Sequence, residues 1–184
     1  MSEHLNGINV PALQEYVEVV KNDPKKGVVE FNVHTRWQGQ TRTVATATEY
    51  ALGGESHRRH FEIAADEPAE LLGLNSAPNP QEVLMAALNA CMSVGYVANA
   101  AVMGIKIESL EIKTKGQLDL RGFLGIDEKV KPGYEDVHYT VSIKTSAPRE
   151  KVEELHRVVM KTSPNFSNFA SAIKMHPTLD IQSI

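Results

Sequence analysis

The sequence predicts an α+β fold. Strand-like stretches come in runs of three and two, single helical stretches separate those runs, and 42% of the 184 residues are apolar. A doubly wound parallel sheet would alternate strand with helix instead. That apolar content supports an ordinary core, so no disulfide or metal staple is required.

Val10 to Lys21 places Leu13, Val17 and Val20 at helical spacing, and Asp23-Pro24-Lys25-Lys26-Gly27 breaks that helix. Three strands are expected next. Val28 to Trp37 alternates Val29, Phe31 and Val33; Arg42 to Tyr50 is β-branched and alternating; His57 to Ala65 carries Phe61 and Ile63. Turns at Gly39 and Gly53-Gly54 make them an antiparallel meander. Asp66 to Pro80, with Pro68, Gly73, Pro78 and Pro80, reads as a loop. A long helix follows. Asn79 suits the N-cap, Pro80 the first helical position and Glu82 the third, and the helix should end near Met103 at Gly104. Ile105 to Leu120 and Tyr134 to Thr145 read as two longer strands, joined by a loop with Gly122, Gly125 and Pro132-Gly133. Ser146 is the expected cap of a second long helix, with Pro148 in its first turn, running to about Thr162. Ser163-Pro164 breaks it. A short helical piece over Asn168 to Lys174 and a last strand over Thr178 to Ile184 complete the chain. The chain divides into a helical extension, 1–27, and a main domain, 28–184.

The net charge of -4 and pI near 6.0 argue against a nucleic-acid partner, which would call for a basic face. The single cysteine forms no intrachain disulfide, so the fold does not depend on an oxidising compartment, and a cytoplasmic location is expected. The N-terminus lacks the basic and apolar regions of a signal peptide. Val83 to Ile105 carries no charge and is long enough to span a bilayer. It is rich in Ala, includes Asn89, Ser93, Gly95, Tyr96 and Asn99, and has no flanking basic cluster, so it reads as a helix buried on most sides in a globule rather than a membrane span.

A lone cysteine is either a small buried hydrophobe or a reactive thiol. Cys91 lies about a dozen residues into the long helix, beyond the reach of its N-terminal dipole. A reactive Cys91 therefore needs a cation or donor from elsewhere in the fold. Arg36, Arg42, Arg58 and Arg59 in the strand region are candidates. Glu82 lies nine residues before Cys91, on the opposite helix face and about 13 Å away along the axis. It either caps the helix or serves the thiol across a subunit interface or through an intermediate residue. The seven histidines are scattered without metal-binding spacing. No dinucleotide, P-loop or GxSxG motif occurs, so no cofactor or metal is expected.

Three segments together resemble the OsmC/Ohr family. Pro78-Asn79-Pro80-Gln81-Glu82-Val83-Leu84-Met85-Ala86-Ala87-Leu88-Asn89-Ala90-Cys91 is similar to its pattern of a proline, an acid, an apolar Ala-Ala run and the first family cysteine. Gly116 to Gly125, reading GQLDLRGFLG, is similar to the strand and loop after the central helix of OsmC-like members. Lys161-Thr162-Ser163-Pro164 resembles the Cys-Pro or Ser-Pro motif at the end of the second long helix.

The resemblance covers roughly Val28 to Ile184. It implies an intertwined homodimer in which antiparallel-rich sheets wrap two long central helices, with thiol sites at the subunit interface. In active members the first cysteine attacks an organic hydroperoxide and becomes a sulfenic acid. The second cysteine resolves it, and a dithiol such as dihydrolipoamide restores the enzyme. Here Ser163 stands in the second cysteine's place, so the two-cysteine cycle is closed to this chain. The acid that directly follows the proline in Ohr proteins aligns with Gln81, one place before Glu82. The supporting arginine comes from the first strand region, where Arg36 and Arg42 are nearest. The expected function is thus a one-cysteine peroxidase that takes a hydroperoxide and an external thiol, with Cys91, Glu82, Arg42 and Arg36 as site residues. The alternatives are a non-enzymatic member that binds a small ligand or senses oxidant at Cys91, and an enzyme of another reaction class on the same fold.

Overall fold

The computed structural model describes residues 4–183. Met1 to Glu3, where the signal-peptide reading begins, and Ile184, the end of the expected last strand, lie outside the described residues. The fold is mixed α+β, as the sequence predicts.

The chain opens with a hairpin that the sequence reading did not include. Strands β1 (His4–Leu5) and β2 (Ile8–Asn9) pair antiparallel across Asn6-Gly7, both with positive φ. Asn-Gly is the pair that a two-residue primed turn favours. Helix α1 (Val10–Asn22) follows, capped by the Asn9 side chain, which accepts from the Ala12 amide at 3.0 Å. The extension is anchored to the main domain: Asn6 donates to the Ile105 carbonyl and accepts from the Ile107 amide, each at 2.9 Å.

The first expected strand is broken in two. β3 (Val29–Phe31) and β4 (His34–Trp37) pair with the same strand, β5 (Thr43–Leu52), at successive registers. Asn32 and Val33 interrupt the ladder. β6 (Glu55–Ala65) pairs with β5, and Gly53-Gly54, with φ of 58° and 87°, makes the two-residue turn. A β-bulge falls between Ala47 and Glu49 of β5. This meander packs chiefly on itself.

Helix α2 (Pro80–Val102) begins where the sequence places it. Asn79 Oδ1 accepts from the Gln81 amide at 2.7 Å, and Glu82 Oε2 accepts from the Asn79 amide at 2.8 Å, completing a capping box. It ends in a Schellman motif: Gly104, at φ +69°, donates to Ala101 and Ile105 donates to Ala100. The expectation that this helix is buried on most sides is corrected. It is long and apolar enough to cross a membrane, yet only Leu88, Met92, Tyr96, Ala100 and Ala101 are buried within the chain. Those positions recur about every four residues and mark a single face. They meet Ile105, Leu155 and Val159 in the core.

β7 (Ile107–Gly116) and β8 (Val137–Thr145) form a two-stranded antiparallel sheet whose alternating side chains close that core. Both strands are shorter than expected, and the loop between them contains a one-turn helix, α3 (Leu120–Phe123). α4 (Arg149–Thr162) packs on α2. A Cβ on Gly95 would come within 3.2 Å of Val159 Cγ1, so the glycine sets how closely the two helices approach. The cap of α4 is Pro148, not Ser146, because Thr145 takes the Ala147 amide into a local turn at 3.1 Å. The short helix α5 (Pro164–Ala170) lies four residues earlier than expected, since the Ser163 hydroxyl accepts from the Phe166 amide and starts it there. The last expected strand is absent among the described residues: 171–183 are irregular and exposed. Ile173, Met175, Leu179 and Ile181 keep a two-residue alternation, but alternation makes a strand only where an edge accepts it.

Candidate functional site

The fold brings Cys91 and Ser163 together although 72 residues separate them. Cys91 Sγ lies 3.5 Å from Ser163 Oγ. Ser163 is 4% exposed and sits at the junction of two helices. Its amide donates to Val159 and ends α4, while its hydroxyl oxygen accepts from Phe166 at 3.3 Å and starts α5. With that lone pair occupied, the hydroxyl hydrogen is free to point at the sulfur. Asn165 fixes the junction to α2 by donating to the Ala87 carbonyl at 2.9 Å, one turn before Cys91. Ser163-Pro164-Asn165 therefore builds one wall of the thiol site.

Cys91 itself is partly buried. One turn away along α2, Ala87 is exposed on one side and Val94 is 69% exposed on the other, and Leu84 continues the strip. The thiol thus opens onto an apolar helix face that none of the described residues covers.

A polar chain links the N-terminus of α2 to the meander. Asp66, 1% exposed, accepts from the Ser76 amide at 3.0 Å and hydroxyl at 2.7 Å, the Thr41 hydroxyl at 2.7 Å and the Glu67 amide at 2.9 Å. The Ser76 amide first, then the Thr41 and Ser76 hydroxyls, hold its carboxyl well below the usual range, and burial opposes them. Arg42 Nη1 donates to Ser76 Oγ at 2.5 Å. Glu67 accepts from the Asn79 side chain, and Asn79 leads to Glu82. Gly73 lets this loop fold tightly, because a Cβ there would overlap the Glu67 carbonyl.

Of the residues read from the sequence, Cys91 and Ser163 meet, while Glu82, Arg36 and Arg42 lie elsewhere. Glu82 is exposed and engaged in the capping box. Arg42 is held in the Asp66 network. Arg36 is exposed on β4 opposite Val44 and makes no hydrogen bond or ion pair among the described residues. Arg59 lies over three rings, 5.0 Å from the Tyr50 centroid and 5.7 Å from those of Phe31 and Phe61. Among the described residues, the hydroxyl of Ser163 is the polar side-chain group that touches the sulfur. The sequence reading missed Asp66, which looks like an ordinary loop acid until its donors are placed around it.

The OsmC-like protein family model matches residues 73–177. No curated protein matches the chain. Among solved structures it is similar to an OsmC-like protein from Mycoplasma pneumoniae, with 15% identity over 77% of this chain and 87% of that one, at a TM-score of 0.61. It is also similar to a Psychrobacter arcticus protein assigned to osmotic stress induction and detoxification response, with 18% identity over 79% and 88% and a TM-score of 0.58. A third is a Vibrio cholerae protein named for organic hydroperoxide resistance, with captopril bound in one of its active sites. There the identity is 13% over 74% and 82%, at a TM-score of 0.50.

Proposed function

The chain belongs to the OsmC-like family, and from that premise we propose that it is a homodimeric, cytoplasmic peroxidase that reduces organic hydroperoxides through Cys91 with an external thiol. The observation that carries this reading is the placement of the Cys91 sulfur, partly buried, beside the Ser163 hydroxyl and open to an uncovered apolar helix face. An apolar surface next to a nucleophilic sulfur favours hydroperoxides with a hydrocarbon body. The family name of the Vibrio cholerae structure agrees with that substrate class.

In the first step the Cys91 thiolate attacks the distal peroxide oxygen. The S–O bond forms, the O–O bond breaks, and the alkoxide leaves with a proton as an alcohol. Cys91 is oxidised to the sulfenic acid and the peroxide is reduced. An external thiol then attacks the sulfenic sulfur and releases water, and a second thiol, or the second arm of a dithiol, restores the Cys91 thiol. Ser163 cannot resolve the sulfenic acid, but its hydroxyl can donate to the thiolate.

The second copy supplies the rest. It covers the open face of α2, and its meander, with the partner's Arg36, brings the cation that none of the described residues of the same chain places on the sulfur. Arg36 suits that role better than Arg42, whose guanidinium is already committed to Ser76. Glu82, which caps α2 in its own chain, reaches the site across that same interface.

The lack of a cation at the sulfur among the described residues favours one alternative, a ligand-binding or oxidant-sensing protein. One assay separates the two. Reduced protein is given cumene hydroperoxide with dihydrolipoamide or dithiothreitol, beside Cys91→Ser. Many turnovers by the wild type and none by the variant are expected. Equal consumption by both with either reductant would sink the peroxidase reading.

A further inference from the structure

On the other side of α2 lies a groove that the Cys91 chemistry does not use. Cys91 and Tyr96 are five residues apart, so they project about 140° from each other around the helix. The groove runs between β8 and α4 and has a volume of about 600 Å3. Its walls are the inward side chains of β8, Tyr139, Val141 and Ile143, together with Val152 of α4. That size and an apolar lining with a few fixed polar groups are the usual attributes of a small-molecule site.

The polar groups are specific in what they offer. Tyr96 is 1% exposed, and its hydroxyl is hydrogen-bonded to His156 Nδ1. Burial, with a smaller contribution from Tyr139, pushes the Tyr96 hydroxyl up to about 12, so it stays protonated and is able to donate to the ring. An imidazole that accepts at Nδ1 carries its own proton at Nε2. Among the described residues that Nε2 has no partner. Glu153, on the rim, accepts from Arg149 Nε at 2.7 Å, so its charge is matched locally. Arg157 is exposed beside it and makes no hydrogen bond or close ion pair among the described residues, although its charge also acts on Glu153. With the Tyr96 hydroxyl donating to Nδ1, the groove presents a guanidinium and an imidazole N–H above an apolar trough, and its one carboxylate is already engaged by Arg149.

We propose that this groove binds a small amphipathic carboxylate, with the carboxylate on Arg157 and His156 Nε2 and the hydrocarbon along Val141, Ile143 and Val152. A carboxylate only accepts hydrogen bonds, which matches the Arg157 guanidinium and an Nε2–H on His156, while the Tyr139 and Thr140 hydroxyls of the lining are able to donate as well. The site needs no thiol, so its occupancy is read without peroxide or reductant and stands or falls apart from the peroxidase reading.

The test uses the full chain and sodium octanoate, with octan-1-ol as the uncharged control. Calorimetry should show one saturable octanoate site per chain and much weaker uptake of octanol. Amide shifts should gather at Ile143, Val152 and His156. Arg157→Ala and Arg157→Glu change an exposed side chain, so the fold persists, and both should weaken octanoate binding by about tenfold or more. Three results would each overturn the proposal: octanoate binding no tighter than octanol, an affinity unchanged by either Arg157 variant, or shifts gathered between Leu84 and Val94.

Discussion

The two halves of this chain bury their apolar surface to very different degrees. In the α2–β7–β8–α4 half, Met92, Tyr96, Ile105, Leu155 and Val159 are essentially inaccessible. In the meander, Phe31, Val33, Phe61 and Trp37 are all exposed, Trp37 at 72%. The first half is a core that one chain can close. The second is a sheet with apolar side chains and nothing over them among the described residues, and apolar side chains grouped on one exposed face mark a surface for a partner. The uncovered strip of α2 beside Cys91 is the complementary shortage. The dimer proposed above, with the meander of one copy over that strip of the other, would answer both and would complete a thiol site that one chain builds only in part.

The sharpest way to break this comparison is to damage each half separately. Leu155→Ala removes a fully buried side chain and should cost about 2–5 kcal/mol in chemical denaturation, at every protein concentration. Phe31→Ser combined with Phe61→Ser touches exposed positions near Arg59. Within one chain such changes are worth about 0.5 kcal/mol each or less. If the meander is an interface, the double variant should instead be monomeric at micromolar concentration by light scattering, where the wild type is a dimer. An unchanged assembly state would mean that something else covers the sheet.

The next effect concerns the loop that joins the halves. Asp66 gathers four donors from Thr41, Glu67 and Ser76. Its folded carboxyl titrates below the unfolded value of about 3.9. The sign follows directly. The unfolded chain binds the proton first on acidification, so the stabilisation is complete above that value and fades as pH falls through it toward the folded value. Asp66→Asn should lower the melting temperature at neutral pH by several degrees and flatten the loss of stability below about pH 4. A variant whose acid profile overlays the wild type would remove Asp66 from the joint.

What the sequence discloses depends on how local the cause is. The start of α2 is legible because Asn79, Pro80 and Glu82 act within one turn, and its end because Gly104 needs a positive φ. The β1–β2 hairpin was equally local, and Asn6-Gly7 carries its signal. The pairing of Cys91 with Ser163 is not local; it became legible through a resemblance to proteins of the same family. Residues 171–183 show the opposite failure. Their alternation reads as a strand, but a strand exists only against a partner edge, and no alternation specifies one. A cation for Cys91 is illegible for the same reason, because several arginines on the strands satisfy the pattern and only packing could choose among them.

Glu82 offers the smallest and most discriminating effect. Its carboxylate accepts from the Asn79 amide at 2.8 Å, and glutamine serves that position of a capping box as well as glutamate does. Glu82→Ala should cost about 1 kcal/mol in denaturation, and Glu82→Gln only a few tenths. Activity divides the roles. If Glu82 only caps α2, Glu82→Gln should turn over cumene hydroperoxide at the wild-type rate. If its charge also serves the thiol of the partner subunit, Glu82→Gln should keep its stability and lose turnover, because an amide cannot replace a carboxylate that orients a guanidinium. The second outcome would require the dimer interface to bring Glu82 to the opposing Cys91, a distance that α2 cannot close within one chain.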